Sequence, residues 1–435
     1  MVFVFDGHYH HARKEINTLN LHSCAYSVIQ IFISMKIVYV NPFYTEGMGY
    51  IENCLPKAMA KRGHEVHLIT STGKAYFNYP MYKATYEKFF GPPIEEAGKY
   101  NLHGNVTHHR LEFLLIHNAF YFKGLRKVLD EIRPDIVHMW EVISPYTIQF
   151  FFLRRKYKYI VYTSNHLVLS VIKIHNEWSS WFSPMRYLWI LSKVLPGKLF
   201  QGAYRRCYAV TRDAKFIAEK YMGVPPGKCV ITPLGTDTDV FRPEEDKTRI
   251  IRLKESLGFE KDDFIVLYTG RFTYSKNPLV CAQAVDLLQE KGFSKIKGLF
   301  VGAGDQKKEI EECRACKVID LVMYSQLPQY YQIADVGAWP MQESTSILDA
   351  SATALPVIVN ETLPAADMFR SNGLTYKPGN QEDLAAKILQ LYSDEELRLK
   401  LGKEGQRKMN EEFSWDRIAK EREQDYLQDL GKSKE

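Results

Sequence analysis

The sequence predicts an α/β protein of two lobes, each an open parallel sheet covered by helices, and three observations predict it. The chain has 435 residues, more than one hydrophobic core usually organises. From Met35 onward, short β-branched runs alternate with amphipathic segments, the pattern of parallel strands buried on both faces. After a turn-rich stretch near residue 240 the same cycle starts again.

Taken in order, residues 1–34 form an atypical extension outside the predicted fold. They carry His8, His10, His11, Asp6 and Glu15 beside a single basic pair, Arg13 and Lys14, which reads poorly as a signal peptide. Met35-Lys36-Ile37-Val38-Tyr39-Val40 reads as a start followed at once by a buried strand, so translation from Met35 is expected to leave activity intact. The first lobe is expected over 35–243. Ile37–Asn41 is its first strand, Gly47–Arg62 a loop and helix closed by Gly63, and Glu65–Thr70 the next strand. Asp135–Met139, Tyr159–Thr163 and Tyr208–Thr211 repeat the strand signal. Turn formers and charges at 240–248 suit a linker. The second lobe is expected over 244–412, with strands at Phe264–Thr269, Lys297–Val301 and Pro356–Asn360, and a closing helix over 413–435.

Composition removes several classes of function. The longest apolar run, Ala25–Ser34, is about half of what a spanning helix needs. Seven cysteines at irregular spacing make no disulfide framework and suit a cytoplasmic protein. Cys313 and Cys316 form one C-x-x-C in a helical-looking run, with no second pair or nearby His to complete a zinc site. The net charge of +6 is mild but uneven: Lys123–Arg206 holds fourteen Lys or Arg against five Asp or Glu, with Trp178, Trp181, Phe182, Tyr187, Trp189 and Phe200 interleaved. Such a stretch suits an anionic membrane surface, at the inner face for a peripheral cytoplasmic protein, or a phosphate-bearing acceptor. A solvated surface over core aromatics is the alternative. No motif for nucleic acid accompanies the charge.

Parallel sheets bind ligands at the carboxyl ends of their strands. Gly47 and Gly49 follow the first strand, where small residues let amides approach a phosphate. No third glycine and no acidic end to the next strand complete a dinucleotide fingerprint, so a simple NAD enzyme is disfavoured. Arg271 and Lys276, in Gly270-Arg271-Phe272-Thr273-Tyr274-Ser275-Lys276, place two cations directly after a strand, as a departing diphosphate requires.

From Met35 to about Tyr426 the order of motifs resembles the glycosyltransferase family 4 group of GT-B enzymes, whose two Rossmann-like lobes hold a nucleotide-sugar donor in the cleft between them. The landmarks are the Gly270–Lys276 loop, Val301-Gly302-Ala303-Gly304-Asp305, Leu327-Pro328 with Ala334-Asp335, Asn372-Gly373-Leu374 and Phe413-Ser414-Trp415. The resemblance implies a retaining hexosyltransferase that needs no metal or other cofactor. It uses a UDP- or GDP-linked sugar as co-substrate and a glycan or lipid-linked acceptor. It implies that Arg271 and Lys276 clamp the diphosphate, that Gly270, Gly302, Gly304 and Leu327 line the donor site, and that His166, just past a strand, faces the donor sugar. His138 ranks second.

The family's paired glutamates, separated by seven residues, map less cleanly. Counting back from Pro356 puts Asp349 at the second acid and Met341 at the first. Matching Glu343-Ser344 instead makes Glu343 the first acid and leaves the turn two residues shorter, with Ser344, Thr345 and Ser346 replacing its donor contacts. Asp349 then accepts from the ribose hydroxyls. Asp237-Thr238-Asp239 looks like a metal-binding D-x-D, but its place after Pro233-Leu234-Gly235 resembles the GT-B turn into the linker, so it is not read as a metal site. Two rivals share this reading: a nucleotide-sugar epimerase of the same architecture, and a non-catalytic nucleotide-sugar-binding protein.

Overall fold

The computed structural model describes residues 34–434, apart from 81, 117–118, 170–171, 173, 175–177, 179, 364–368 and 370. The expectations for the extension therefore fall almost wholly outside the described residues.

The first lobe contains β1 (Lys36–Val40), β2 (Glu65–Ser71), β3 (Gly98–Leu102), β4 (Val106–Leu111), a hairpin of β5 (Phe113–Ile116) and β6 (Ala119–Phe122), β7 (Ile136–Met139), β8 (Ile160–Asn165), β9 (Cys207–Ala209) and β10 (Cys229–Ile231). Its eight-stranded sheet runs β10-β9-β8-β7-β1-β2-β4-β3. All pairs are parallel except β3 with β4. The second lobe contains β11 (Phe264–Thr269), β12 (Ile296–Val301), β13 (Cys316–Ile319), β14 (Val336–Trp339), β15 (Val357–Asn360) and β16 (Gly373–Tyr376), in the order β13-β12-β11-β14-β15-β16. This sheet is wholly parallel. Two Rossmann-like lobes are thus present.

Burial explains the strand composition. All six residues of β11 are buried, because helices cover both faces of the sheet and no polar face is needed. The helix Ile51–Lys61 ends where the sequence marks it: Gly63 has φ +89° and its N–H reaches the Ala60 carbonyl. Pro145 opens the helix Pro145–Tyr157 behind Ser144, whose hydroxyl and backbone exchange bonds with Thr147.

One sequence expectation is corrected here. The helical-looking run around the C-x-x-C ends at Glu311, and Cys316 opens edge strand β13. The run Cys316–Ile319 pairs with Gly298–Val301, which its local pattern did not reveal.

The closing helix, Trp415–Lys434, packs on the first lobe although it follows the second in sequence. Trp415, Ile418, Ala419 and Tyr426 share one core with Ile37, Tyr39, Leu68 and Tyr162. Among the described residues no helix is long and apolar enough to cross a membrane.

Candidate active site

Strand order places a switch point in each sheet, beside β1 in the first and β11 in the second, where successive connections run in opposite directions. The candidate site is built from the loops at these two points and from the ends of neighbouring strands.

The loop after β11 is held by its backbone. Gly270 N–H donates to the Val301 carbonyl, Phe272 N–H to Ala303 and Gln306 N–H to Phe272. Such close packing of two loops demands glycine: a Cβ on Gly302 would lie 1.9 Å from the Gly270 carbonyl oxygen, and one on Gly304 2.6 Å from that of Phe272. Gly270, Gly302 and Gly304 therefore fix the loop that carries Arg271 and Lys276.

Lys276 Nζ donates to the Glu343 carbonyl at 3.2 Å. Burial, with the Arg271 charge adding to it and Glu343 opposing, lowers its ammonium to about 8. Burial raises the Glu343 carboxyl, its own backbone N–H opposes, Asp213 of the first lobe raises it further and Lys276 lowers it. Arg271 is exposed and lies near enough to the first lobe to counter the rise that burial imposes on the Tyr86 phenol. Arg271, Lys276 and Glu343 thus come together, facing the other lobe. Beside them Ser344 and Ser346 share a hydroxyl contact of 2.6 Å, and Ser346 Oγ donates to the Thr269 carbonyl at 3.2 Å. The Thr345 carbonyl accepts from the Leu348 and Asp349 N–H groups as the next helix begins.

Asp349 lies deeper. It is 6% exposed and accepts a 2.7 Å hydrogen bond from Thr236 Oγ1, a residue of the turn between the lobes. Burial raises its carboxyl to about 7, with Thr236 opposing and Asp237 adding. One of its oxygens is already engaged. In the D-x-D, Asp237 Oδ1 accepts from the Asp239 and Val240 N–H groups, while Asp239 pairs with Lys61 at 2.9 Å. The two carboxylates serve a turn and an ion pair.

Gly47 and Gly49 abut the second lobe: a Cβ at Gly49 would fall 2.0 Å from the Tyr324 ring, and one at Gly47 2.8 Å from Met323 Cε. Packing against the Tyr324 ring across the cleft favours glycine at 49, and the positive φ of +84° favours it at 47, whatever they contact besides. Leu327 precedes the helix Pro328–Ile333 and packs against the second core.

The two histidines part company. His138 is fully buried, with Nδ1 2.6 Å from the Tyr426 hydroxyl and Nε2 2.8 Å from Ser164 Oγ. Both ring nitrogens are satisfied, so its second rank is corrected: it is a core histidine. His166, just past β8, has a buried Nε2 without a partner among the described residues. Burial, with the Arg422 charge beside it, lowers its imidazole to about 4, so it is neutral at pH 7. It lines a cavity of about 370 Å³ with Asn41, Glu52, Glu141, Asn165 and Lys193.

The two carboxyls of this cavity were missed by sequence reasoning. Burial raises Glu52 to about 7, whereas Glu141, which lines the same cavity, is exposed. An acid in the first helical turn after Gly-x-Gly was a signal for Glu52; Glu141 gave none. Arg422, from the closing helix, was also missed. Its guanidinium stacks on Tyr208, 3.2 Å from the ring centroid, and reaches Thr232 Oγ1.

Comparison with known proteins supplies the class. Residues 55–240 match the family model described as Glycosyltransferase Family 4, and residues 250–408 the one described as Glycosyl transferases group 1. The chain resembles EpsD of Bacillus subtilis, with 27% identity over 317 residues, covering 70% of this chain and 79% of EpsD. In fold it is similar to sucrose-phosphate synthase from Thermosynechococcus elongatus (TM-score 0.66, 16% identity, 91% of this chain and 99% of that one). It is also similar to Anabaena HepE in complex with UDP-glucose (TM-score 0.64, 14% identity, 92% of this chain and 100% of that one). Two Rossmann-like lobes with this strand order and these neighbours define a GT-B protein. With a family match in each lobe, the chain belongs to the group 1, family 4 glycosyltransferases.

Proposed function

We propose that this glycosyltransferase moves a hexose from a UDP- or GDP-linked donor to a hydroxyl of a glycan or lipid-linked acceptor, with retention of configuration and without a metal. The observation that carries the reading is the meeting of Arg271, Lys276 and Glu343 on loops that face the first lobe. A UDP-glucose complex of the similarly folded HepE supports a nucleotide-sugar donor. In this reading residues 35–243 hold the acceptor, 244–412 hold the donor and 413–435 close the first lobe. The irregular cysteine spacing supports a cytoplasmic reaction, and the basic stretch of the first lobe supports one at the inner membrane face.

Breaking a glycosyl phosphate bond gathers negative charge on the leaving diphosphate, and Arg271 and Lys276 stabilise it there. Gly270, Gly302 and Gly304 keep the loop close to that charge. Neutral His166 donates a hydrogen bond to the sugar as positive character grows at its reacting carbon, and Glu343, with Ser344, Thr345 and Ser346, holds the sugar hydroxyls. The acceptor hydroxyl attacks from the face the diphosphate leaves, and the diphosphate takes its proton. Asp349 orients the ribose through the oxygen that Thr236 leaves free.

A second reading, a non-catalytic nucleotide-sugar-binding protein, is favoured by one observation: Asp349 is buried against Thr236 and stands close behind Glu343 in sequence. Labelled UDP- and GDP-sugars separate the readings. Diphosphate release with a labelled acceptor supports transfer, binding without turnover supports the second reading, and an isomerised sugar without diphosphate would mean an epimerase. Turnover lost with EDTA and restored by manganese would overturn metal independence.

A further inference from the structure

The three most exposed large apolar side chains among the described residues, Phe182 (93%), Leu199 (77%) and Trp181 (70%), lie on one segment of the first lobe. The run from Pro184 to Leu199 is helical throughout, with a π-turn at Ile190–Val194. Its inner face is fixed to the lobe. Trp189 Nε1 donates to the Tyr221 carbonyl at 2.6 Å, and Lys193 Nζ to the Ile143 carbonyl at 2.8 Å. Gly197 sits so close to Met222 that a Cβ would fall 1.7 Å from its carbonyl oxygen.

Its outer face is apolar. Met185, Leu188, Leu191, Leu195 and Leu199 recur at intervals of three and four residues and are 50–77% exposed. A surface helix ordinarily turns such a stripe inward. Cations edge it: Arg186 stacks on Trp181 at 4.6 Å, Lys198 is exposed, and Arg154, next to exposed Arg155, reaches the Gly202 carbonyl. Between Trp178 and Arg206 the sequence holds five Lys or Arg and no Asp or Glu. A second copy of the chain meeting this face about a two-fold axis would set like charges together with no carboxylate on the segment to answer them. A sheet of anionic headgroups over acyl chains answers both the cations and the stripe.

We propose that Trp181–Leu199 lies in the interface of an anionic bilayer, its outward stripe among the acyl chains and its cations at the headgroups. The run is shorter than a spanning helix and lies in the membrane plane. Lys193, on the inner face of the same helix, lines the cavity that holds His166. The docked helix therefore brings that cavity to the membrane, and the acceptor is lipid-linked. This last step rests on the transfer reading; the membrane contact does not.

The test is co-sedimentation of the full chain with phosphatidylcholine vesicles, with and without phosphatidylglycerol, alongside solution mass. Binding is expected only to the anionic vesicles, weakening at high salt, and Leu188→Glu with Leu195→Glu is expected to reduce it on the order of tenfold or more at unchanged Tm. Phe182→Ser with Leu199→Ser serves if the first variant loses its Tm. Trp181 fluorescence should be quenched by brominated lipid, a signal that Trp181→Phe removes. Absence of binding to anionic vesicles, equal binding by variant and wild type, or a dimer that the variant converts to monomer would each overturn the proposal. Vesicle binding without donor turnover would retain the membrane contact and sink the transfer reading.

Discussion

His138 and His166 look alike in sequence, each at the end of a β-branched run, and only contacts from afar tell them apart. Tyr426, 288 residues away, and Ser164 fill the two ring nitrogens of His138, while no described residue bonds Nε2 of His166. Local sequence shows where a strand ends, not what packs upon it. The same holds for Asp349, whose partner Thr236 is 113 residues away. Two predictions belong at this scale. Lys276 is charged below about 8 and loses its proton above. Since kcat/KM reports the free enzyme, kcat/KM for the donor should fall above that pH, approaching about tenfold per pH unit. Lys276→Arg should move the fall upward. A pH profile checks both. Asp349 is raised from 3.8 to about 7, so the folded state holds a proton the unfolded state has lost, and the native fold loses stability as pH rises between those values. The advantage of Asp349→Asn over wild type should grow from about pH 4 to pH 7 and level off above, as urea unfolding at several pH values would record.

At the scale of elements, most strands buried on both faces were legible, but the short central strand β14, wholly buried between β11 and β15, was not among those expected. β1, β2, β7, β8, β11, β12 and β15 are rich in apolar or β-branched residues and are found within a residue or two of their expected places. β3, β13 and β16 lie at sheet edges, where one side lacks a neighbour and composition relaxes; the hairpin β5–β6 stands outside both sheets. The glycine loops were legible as positions but not as a pair. Gly302 exists because the loop after β11 passes against it, and its φ of +152° suits no other residue. Gly302→Ala should therefore cost about 2 to 4 kcal/mol in chemical denaturation, through strain and displaced backbone. It should also weaken nucleotide binding, whereas an exposed change such as Gly292→Ala, with nothing near its Cβ, tests the cost of backbone strain alone.

At the scale of the whole molecule, the chain enters the second lobe and returns to finish on the first. Tyr426 and Tyr162 pack at 4.6 Å between ring centroids, Asp429 accepts from the Tyr162 hydroxyl, and Glu423 binds both Arg62 and His64. The closing helix was expected, but nothing local told which lobe it would cover. Truncation before Trp415 should leave Tyr39, Tyr162 and His138 uncovered and lower the Tm markedly, and limited proteolysis should then cut the first lobe before the second. Both lobes present their switch points to one cleft, and the clamp loop after β11 is where the second lobe contributes its cations. Steady-state turnover of labelled nucleotide-sugar by Arg271→Ala tests that arrangement most directly. Loss of one clamp cation should reduce diphosphate release and acceptor labelling on the order of 100-fold at unchanged Tm; turnover equal to wild type would contradict it.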